Sequence, residues 1–283
     1  MNKSLTNIRA IDIFSETNFL SDSKFIKVFH GTVSNLNDLL HTSYLFGKDG
    51  FKGPVGRMIR DVLDYHDQNQ RFVRDWEAFR IGNFAMQLET IKKKNEDLFR
   101  YFRRQLRRIN EKEYFGFRLE VQTVSIFHQM NIKFRKRESP DFSVEYDGTE
   151  VFVECCSINL DEPKDKDVSY KVLSALIDKG RKPYANNKTA LFLDHTNVFF
   201  NSVVSGVRLD LEALSADIKE KINTFNFGAI ILEANLMYLE RKRFSIGVEP
   251  IYSDGIDASL LKLLKQMFLE NRAEVSHGIP FSI

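Results

Sequence analysis

The chain has 283 residues, enough for one large domain or a core domain with an appendage. Its 43% hydrophobic and 28% charged content is that of an ordinary globular protein and excludes a disordered or fibrous class. A net charge of +2 carries no global bias, so any polyanionic partner has to be read from local charge instead.

No apolar run approaches the roughly 20 residues needed to span a bilayer, so no membrane contact is expected. The first residues, MNKSLTNIRAIDIFSE, hold no continuous apolar signal core. Cys155 and Cys156 are the only cysteines, and adjacent residues are poorly placed for an unstrained bridge. A cytoplasmic location is the expectation. There is no glycine-rich phosphate loop and no zinc-type Cys/His cluster.

Residues 1–29 are weakly patterned, with Ile11, Ile13 and Phe14 as one short candidate element. From His30 to Phe51, Leu36, Leu39, Leu40 and Leu45 suggest a helix ended by Gly47-Lys48-Asp49-Gly50. Pro54 opens another through Met58, Ile59, Val62 and Leu63. From Phe72 to Lys112 there is no proline and one glycine, Gly82, which predicts one long helix or two in series, with Trp76 as a packing anchor.

The C-terminal half of that stretch carries the charge. Arg100, Arg103, Arg104, Arg107 and Arg108 fall at i, i+3, i+4, i+7 and i+8, one continuous helical face. Leu98, Phe99, Phe102, Leu106 and Ile109 line another. Between Ile91 and Lys112, nine Lys/Arg against three Asp/Glu give +6, which leaves −4 for the rest of the chain. Guanidinium forks bind phosphate oxygens in pairs, so the stripe suits a nucleic-acid backbone. A solvated face, or one paired with acidic partners, is the plainer reading.

Residues 113–283 read differently from the mostly helical residues 1–112. Glu120 has Gly116, Phe117, Val124 and Phe127 as its i−4, i−3, i+4 and i+7 neighbours, so it lies on an apolar stripe, where a charge is costly unless paired or ligating a metal. Phe142, Val144 and Tyr146 alternate up to Asp147-Gly148, a favoured two-residue turn, and Val151, Val153 and Cys155 repeat the pattern on the return strand. That register opposes Asp141 to Glu154 on the other face, with Cβ atoms roughly 4.5–5.5 Å apart. Cys156 points to the same side as Glu154, and Cys155 faces the core. Two strand carboxylates and one on a packed helix would make a hard-cation site of oxygen ligands.

A helix is expected from Val168 to Lys182, with Val172, Leu173, Leu176, Ile177 and Gly180 buried and Lys179 at the edge of that stripe. Ala190–Asp194 and Gly228–Leu232 are short apolar runs suited to buried strands, and Leu209–Phe225 a helix between them. Ser245–Tyr252 adds an edge strand, and Ala258–Asn271 is an amphipathic helix. His128 and His195 lack ligand-like spacing and read as structural, while Asp194 ends its strand. Helix, hairpin, helix, strand, helix, strand describes an α/β fold, a mixed sheet with helices on both faces.

Glu120, then Pro140-Asp141-Phe142, then Val153-Glu154-Cys155-Cys156 resembles the PD-(D/E)XK nuclease superfamily, over about residues 113–235. The resemblance implies a restriction-endonuclease-like mixed sheet flanked by helices, in a domain at 113–283 that follows the helical region. It also implies Mg²⁺- or Mn²⁺-dependent cleavage of nucleic acid, DNA ahead of RNA. Asp141, Glu154, Glu120 and the Cys155 carbonyl would hold the metal. The family places a lysine two residues after the second acidic residue, and here that position is Cys156. Lys179 is the candidate for a relocated lysine, which would give Glu120, Asp141, Glu154 and Lys179 as catalytic residues. The alternative is a catalytically inactive module of the same fold that binds nucleic acid or a partner protein. A homodimer through the helical region would suit cutting of two strands, although no sustained heptad pattern supports one.

Overall fold

The structure is a computed structural model that describes residues 22–47, 50–158, 168–198, 211–238, 243–268 and 274–275. Ile11, Ile13, Phe14, the Asn159–Asp167 loop and the last turn of the helix expected to reach Asn271 lie outside these. The described residues up to Gln129 form a helical unit, and Met130–Leu236 with Ile246–Val275 a sheet unit.

In the helical unit α1 (Asp22–Leu40) and α2 (Thr42–Leu45) lead into a short hairpin, β1 (Phe46–Gly47) and β2 (Gly50–Phe51). The helix expected from His30 therefore starts earlier and stops sooner. Pro54 sits in the first turn of α3 (Gly53–Asp67), as its fixed φ favours. The long helix expected from Phe72 is two: α4 (Arg71–Lys94) and α5 (Glu96–Leu106). The break is at Asn95, whose extended backbone leaves its side chain to accept a hydrogen bond from the Leu98 amide at 3.0 Å. Glu96 and Asp97 then complement the helix N-terminus.

A reciprocal capping box opens α6 (Glu111–Gln129). The Glu113 amide donates to Asn110 Oδ1 at 3.0 Å and the Asn110 amide to Glu113 Oε2 at 2.9 Å. Helix α6 packs along α4, so the division between units falls after Gln129 rather than at Lys112. Its stripe is built for that neighbour: the Phe84 ring of α4 meets Tyr114 and Phe117 edge-on, with centroids 5.6 and 6.5 Å apart. Trp76 is buried, as expected of an anchor.

The sheet unit is α/β; among the described residues it holds a mixed sheet of seven strands, in the order β3-β4-β5-β6-β7-β8-β9. Strands β3 (Phe134–Lys136), β4 (Phe142–Tyr146) and β5 (Thr149–Ser157) form an antiparallel meander, and β6 (Thr189–Asp194) and β7 (Ala229–Tyr238) add in parallel. Strand β8 (Arg243–Tyr252) is longer than expected, and β9 (Glu274–Val275) pairs with it, so it is not the edge. Tyr146 pairs with Thr149, Val144 with Val151 and Phe142 with Val153, as the alternation predicts. Asp147 and Gly148 both hold positive φ (49° and 74°), which a right-twisted two-residue hairpin requires and glycine adopts freely.

The alternation sorts the sheet into two covered faces. Phe142, Val144, Val151, Val153 and Cys155 are buried on one, where α9 (Ala258–Met267) packs on β4 and β5. Asp257 caps α9 through the Ser259 and Leu260 amides. On the other face Leu191, Leu193, Ile230 and Leu232 share a core with Val172 and Leu176 of α7 (Val168–Gly180) and with Leu214 and Ile218 of α8 (Leu211–Lys221). Ile177, expected in the buried stripe of α7, is 45% exposed. It stands one position past Leu176, which carries it beyond the narrow contact with the sheet.

Candidate active site at the open end of the hairpin

Continuing the hairpin register one pair past Phe142↔Val153 sets Asp141 against Glu154. The contact is direct. The Asp141 amide donates to Glu154 Oε2 at 3.3 Å, and the Cys155 amide donates to Asp141 Oδ2 at 2.8 Å. Each carboxylate is thus held partly by the backbone of the opposite strand, so its position follows from the sheet. Glu154 is only 6% exposed, on the face that α7 covers, and a carboxylate there needs partners.

Two lysines provide them. Lys179, in the last turn of α7, donates from Nζ to Glu154 Oε1 at 2.6 Å. Tyr184, in the turn after α7, donates its hydroxyl to the same oxygen at 2.8 Å. Lys136, the last residue of β3, donates from Nζ to Asp141 Oδ1 at 3.0 Å and to the Arg137 carbonyl at 3.0 Å. Its ammonium also lies 4.9 Å from the centre of the Phe142 ring. All four carboxylate oxygens therefore accept hydrogen bonds from the chain itself.

Burial works against the charge on Lys179, but the hydrogen bond and the negative charge of Glu154 outweigh it and raise its pKa. It is an ammonium at neutral pH. Burial, followed by the bond and charge of Glu154, raises the Tyr184 hydroxyl, which stays protonated. Burial also pushes the Cys156 thiol up; the nearby Lys179 opposes this, and Glu154 and Asp141 add to it. Those couplings place Cys156 beside the cluster, but as a neutral thiol, which excludes a pre-ionised nucleophile. Cys155 is buried on the opposite face.

The structure thus brings Asp141, Glu154 and Lys179 together and adds Lys136 and Tyr184, which the sequence reading missed. No phase marked Lys136 in a strand as short as β3. Glu120 is half-buried on α6, between buried Phe117 and Val124, and α6 belongs to the helical unit. Of the arginine stripe only Arg100, Arg103 and Arg104 lie within α5; Arg107 is its C-cap and Arg108 follows in a turn. The single continuous face is shortened because the helix ends at Leu106. Arg100 reaches Glu96 and Asp97 at 3.3 and 3.7 Å, and Arg103 lies over the Phe99 ring, while Arg104, Arg107 and Arg108 are exposed. His195 is buried, and burial lowers its pKa, in keeping with a structural role. Asp194 ends β6 and accepts from the Thr196 amide at 2.9 Å.

Carboxylate oxygens on one end of a sheet suit a hard divalent cation in kind. Among the described residues, no group of three His, Cys, Asp or Glu side chains is placed to hold one. The donor set is two carboxylates, already neutralised by two ammonium groups. The chain matches no protein-family model, no curated protein and no solved structure at significant similarity. No helix among the described residues is long and apolar enough to cross a membrane.

Proposed function

We propose that the sheet unit is a PD-(D/E)XK-type nuclease domain of restriction-endonuclease-like fold that hydrolyses phosphodiester bonds of nucleic acid with Mg²⁺ or Mn²⁺. The observation that carries this reading is the 2.6 Å contact of Lys179 with Glu154, beside Cys156. The family pattern asks for an ammonium at this place, and α7 delivers one from outside the strand. The antiparallel meander continued by parallel strands, with helices on both faces, agrees with the fold reading.

Asp141 and Glu154 are the residues that would hold the cation, with the Cys155 carbonyl as the family resemblance implies. When bound, such a cation lowers the pKa of a water and offsets charge on the phosphate. Lys179, charged at neutral pH, then orients the attacking water or a phosphate oxygen as a hydrogen-bond donor; it is not a base. Tyr184 positions Glu154, and Cys156 fills space beside it. Glu120 remains a proposed contributor through the resemblance alone. The exposed Arg104, Arg107 and Arg108, with Arg100 and Arg103, are the proposed contacts to the phosphate backbone, DNA ahead of RNA on the resemblance.

A second reading has its own support. Four carboxylate oxygens satisfied by the chain, and two lysines balancing two carboxylates, also describe an inactive domain that keeps the fold and binds nucleic acid or a partner protein. Supercoiled plasmid and labelled RNA incubated with Mg²⁺ or Mn²⁺, wild type against Asp141→Ala, separate the two. Metal-dependent cleavage that Asp141→Ala abolishes is expected; its absence selects the second reading.

A further inference from the structure

We infer that Lys136 is a resident counter-cation for Asp141, which a divalent cation has to displace before the pair can bind it. This rests on reading Asp141 and Glu154 as the cation-binding pair. Lys136 is not a passing surface lysine. Its side chain is 15% exposed, and the Asp141 side chain 14%. Its ammonium is tied at three points: Asp141 Oδ1, the Arg137 carbonyl and the face of the fully buried Phe142 ring. Strand pairing of Lys136 with Phe142 builds this placement into the sheet. A partly desolvated, hydrogen-bonded ion pair is stronger than an exposed one.

The charge count gives the consequence. Asp141 and Glu154 carry −2, and the two lysines bonded to them, Lys136 and Lys179, carry +2, so a dication gains the attraction of the pair only by replacing an ammonium. Lys179 and Lys136 differ in what they guard. Lys179 shares Glu154 Oε1 with Tyr184, so the hydroxyl continues to hold that carboxylate when the ammonium turns to a ligand. Lys136 donates to Asp141 Oδ1, and displacing it frees that oxygen. The free protein therefore binds divalent cations weakly, and Lys136 sets the threshold.

The test is Mn²⁺ binding to the free protein, measured from the electron paramagnetic resonance signal of unbound Mn²⁺ at neutral pH. Lys136→Met keeps the stem over Phe142 and removes the charge; Lys136→Gln keeps a hydrogen-bond donor and removes the charge. Both should bind Mn²⁺ at least about tenfold tighter than wild type, the scale of a hydrogen bond to a charged group. Adding Asp141→Asn to Lys136→Met should erase the gain. Circular dichroism melts establish that each variant is folded. Unchanged or weaker Mn²⁺ binding in both variants overturns the inference, as does a gain that survives Asp141→Asn. Its failure is distinct from that of the nuclease reading. Asp141-dependent cleavage with unchanged Mn²⁺ affinity sinks the role of Lys136 alone; tighter Mn²⁺ binding without cleavage in wild type keeps it and sinks the nuclease.

Discussion

Gly180 lies so close to Phe225 that a Cβ atom on it would stand 2.5 Å from the Phe225 carbonyl oxygen. The constraint is one of space, since the neighbouring atoms are backbone and cannot rotate away. Helix α7 thereby ends against the turn after α8, where Asn226 Nδ2 donates to the Gly180 carbonyl at 3.2 Å, and Lys179 is placed one residue before this abutment. Gly180→Ala should cost about 1–3 kcal/mol by overpacking, a fall of roughly 2–4 °C in melting temperature per kcal/mol. It should also reduce cleavage by moving Lys179. A variant that melts like wild type would show that the two segments part easily and that the glycine does not position the lysine.

Lys179→Met keeps length and apolar packing while removing the ammonium. Cleavage should fall by about 10²–10³-fold, the usual cost of losing one charged stabiliser. A variant as active as wild type, beside a dead Asp141→Ala, would remove Lys179 from the mechanism.

The same pair gives a pH signature. The Lys179 pKa is raised in the folded state above its ordinary 10.5. Its contribution is then complete below about pH 10.5 and is lost as pH rises through the folded value. The difference in melting temperature between wild type and Lys179→Met should hold steady from neutral pH to mildly alkaline conditions and narrow only in strong alkali. A gap that already closes near neutrality would mean that the ion pair is not what the substitution removes.

The arginines of α5 predict a salt dependence. Arg104, Arg107 and Arg108 are exposed, while Arg100 is shared with Glu96 and Asp97. Alanine at Arg104, Arg107 and Arg108 should weaken binding to duplexes of any sequence. It should also flatten the log–log salt slope by about 0.9 per lost phosphate contact. Arg100→Ala should change the slope less. An unchanged slope in the triple variant would place this face outside any nucleic-acid interface.

What was legible in the sequence follows from how local its cause is. The hairpin register needed only alternation and an Asp-Gly pair, so the opposition of Asp141 and Glu154 could be read directly. Lys179 was legible because α7 is periodic, and a residue seven after Val172 lies near the sheet. Tyr184 left no such trace: it follows a helix end, and nothing in its neighbours aims its hydroxyl at Glu154. Lys136 sits on a three-residue strand amid charged residues, too short to show a phase by itself. The break at Asn95 was legible and missed, for an asparagine followed by Glu96-Asp97 is a cap with an acidic first turn. The fraying of the arginine face past Leu106 had no comparable marker.

Cys156 allows a test in the opposite direction. The family pattern has lysine there, so Cys156→Lys restores the motif on paper. In this protein Lys179 already donates to Glu154 from that side, and Cys156 is partly buried against the Val172–Leu193 core. A new ammonium would meet Lys179, a like charge, and would need room that a cysteine does not require. Cys156→Lys is therefore expected to lower stability by about 1–3 kcal/mol and to lower cleavage. Cys156→Lys combined with Lys179→Met removes the clash of charges and should recover part of the activity that Lys179→Met loses. Were the single variant more active than wild type, Lys179 would not be doing the lysine's work, and the wild-type site would be a crippled one. Should the double variant stay as inactive as Lys179→Met, the ammonium must come from α7 rather than from β5.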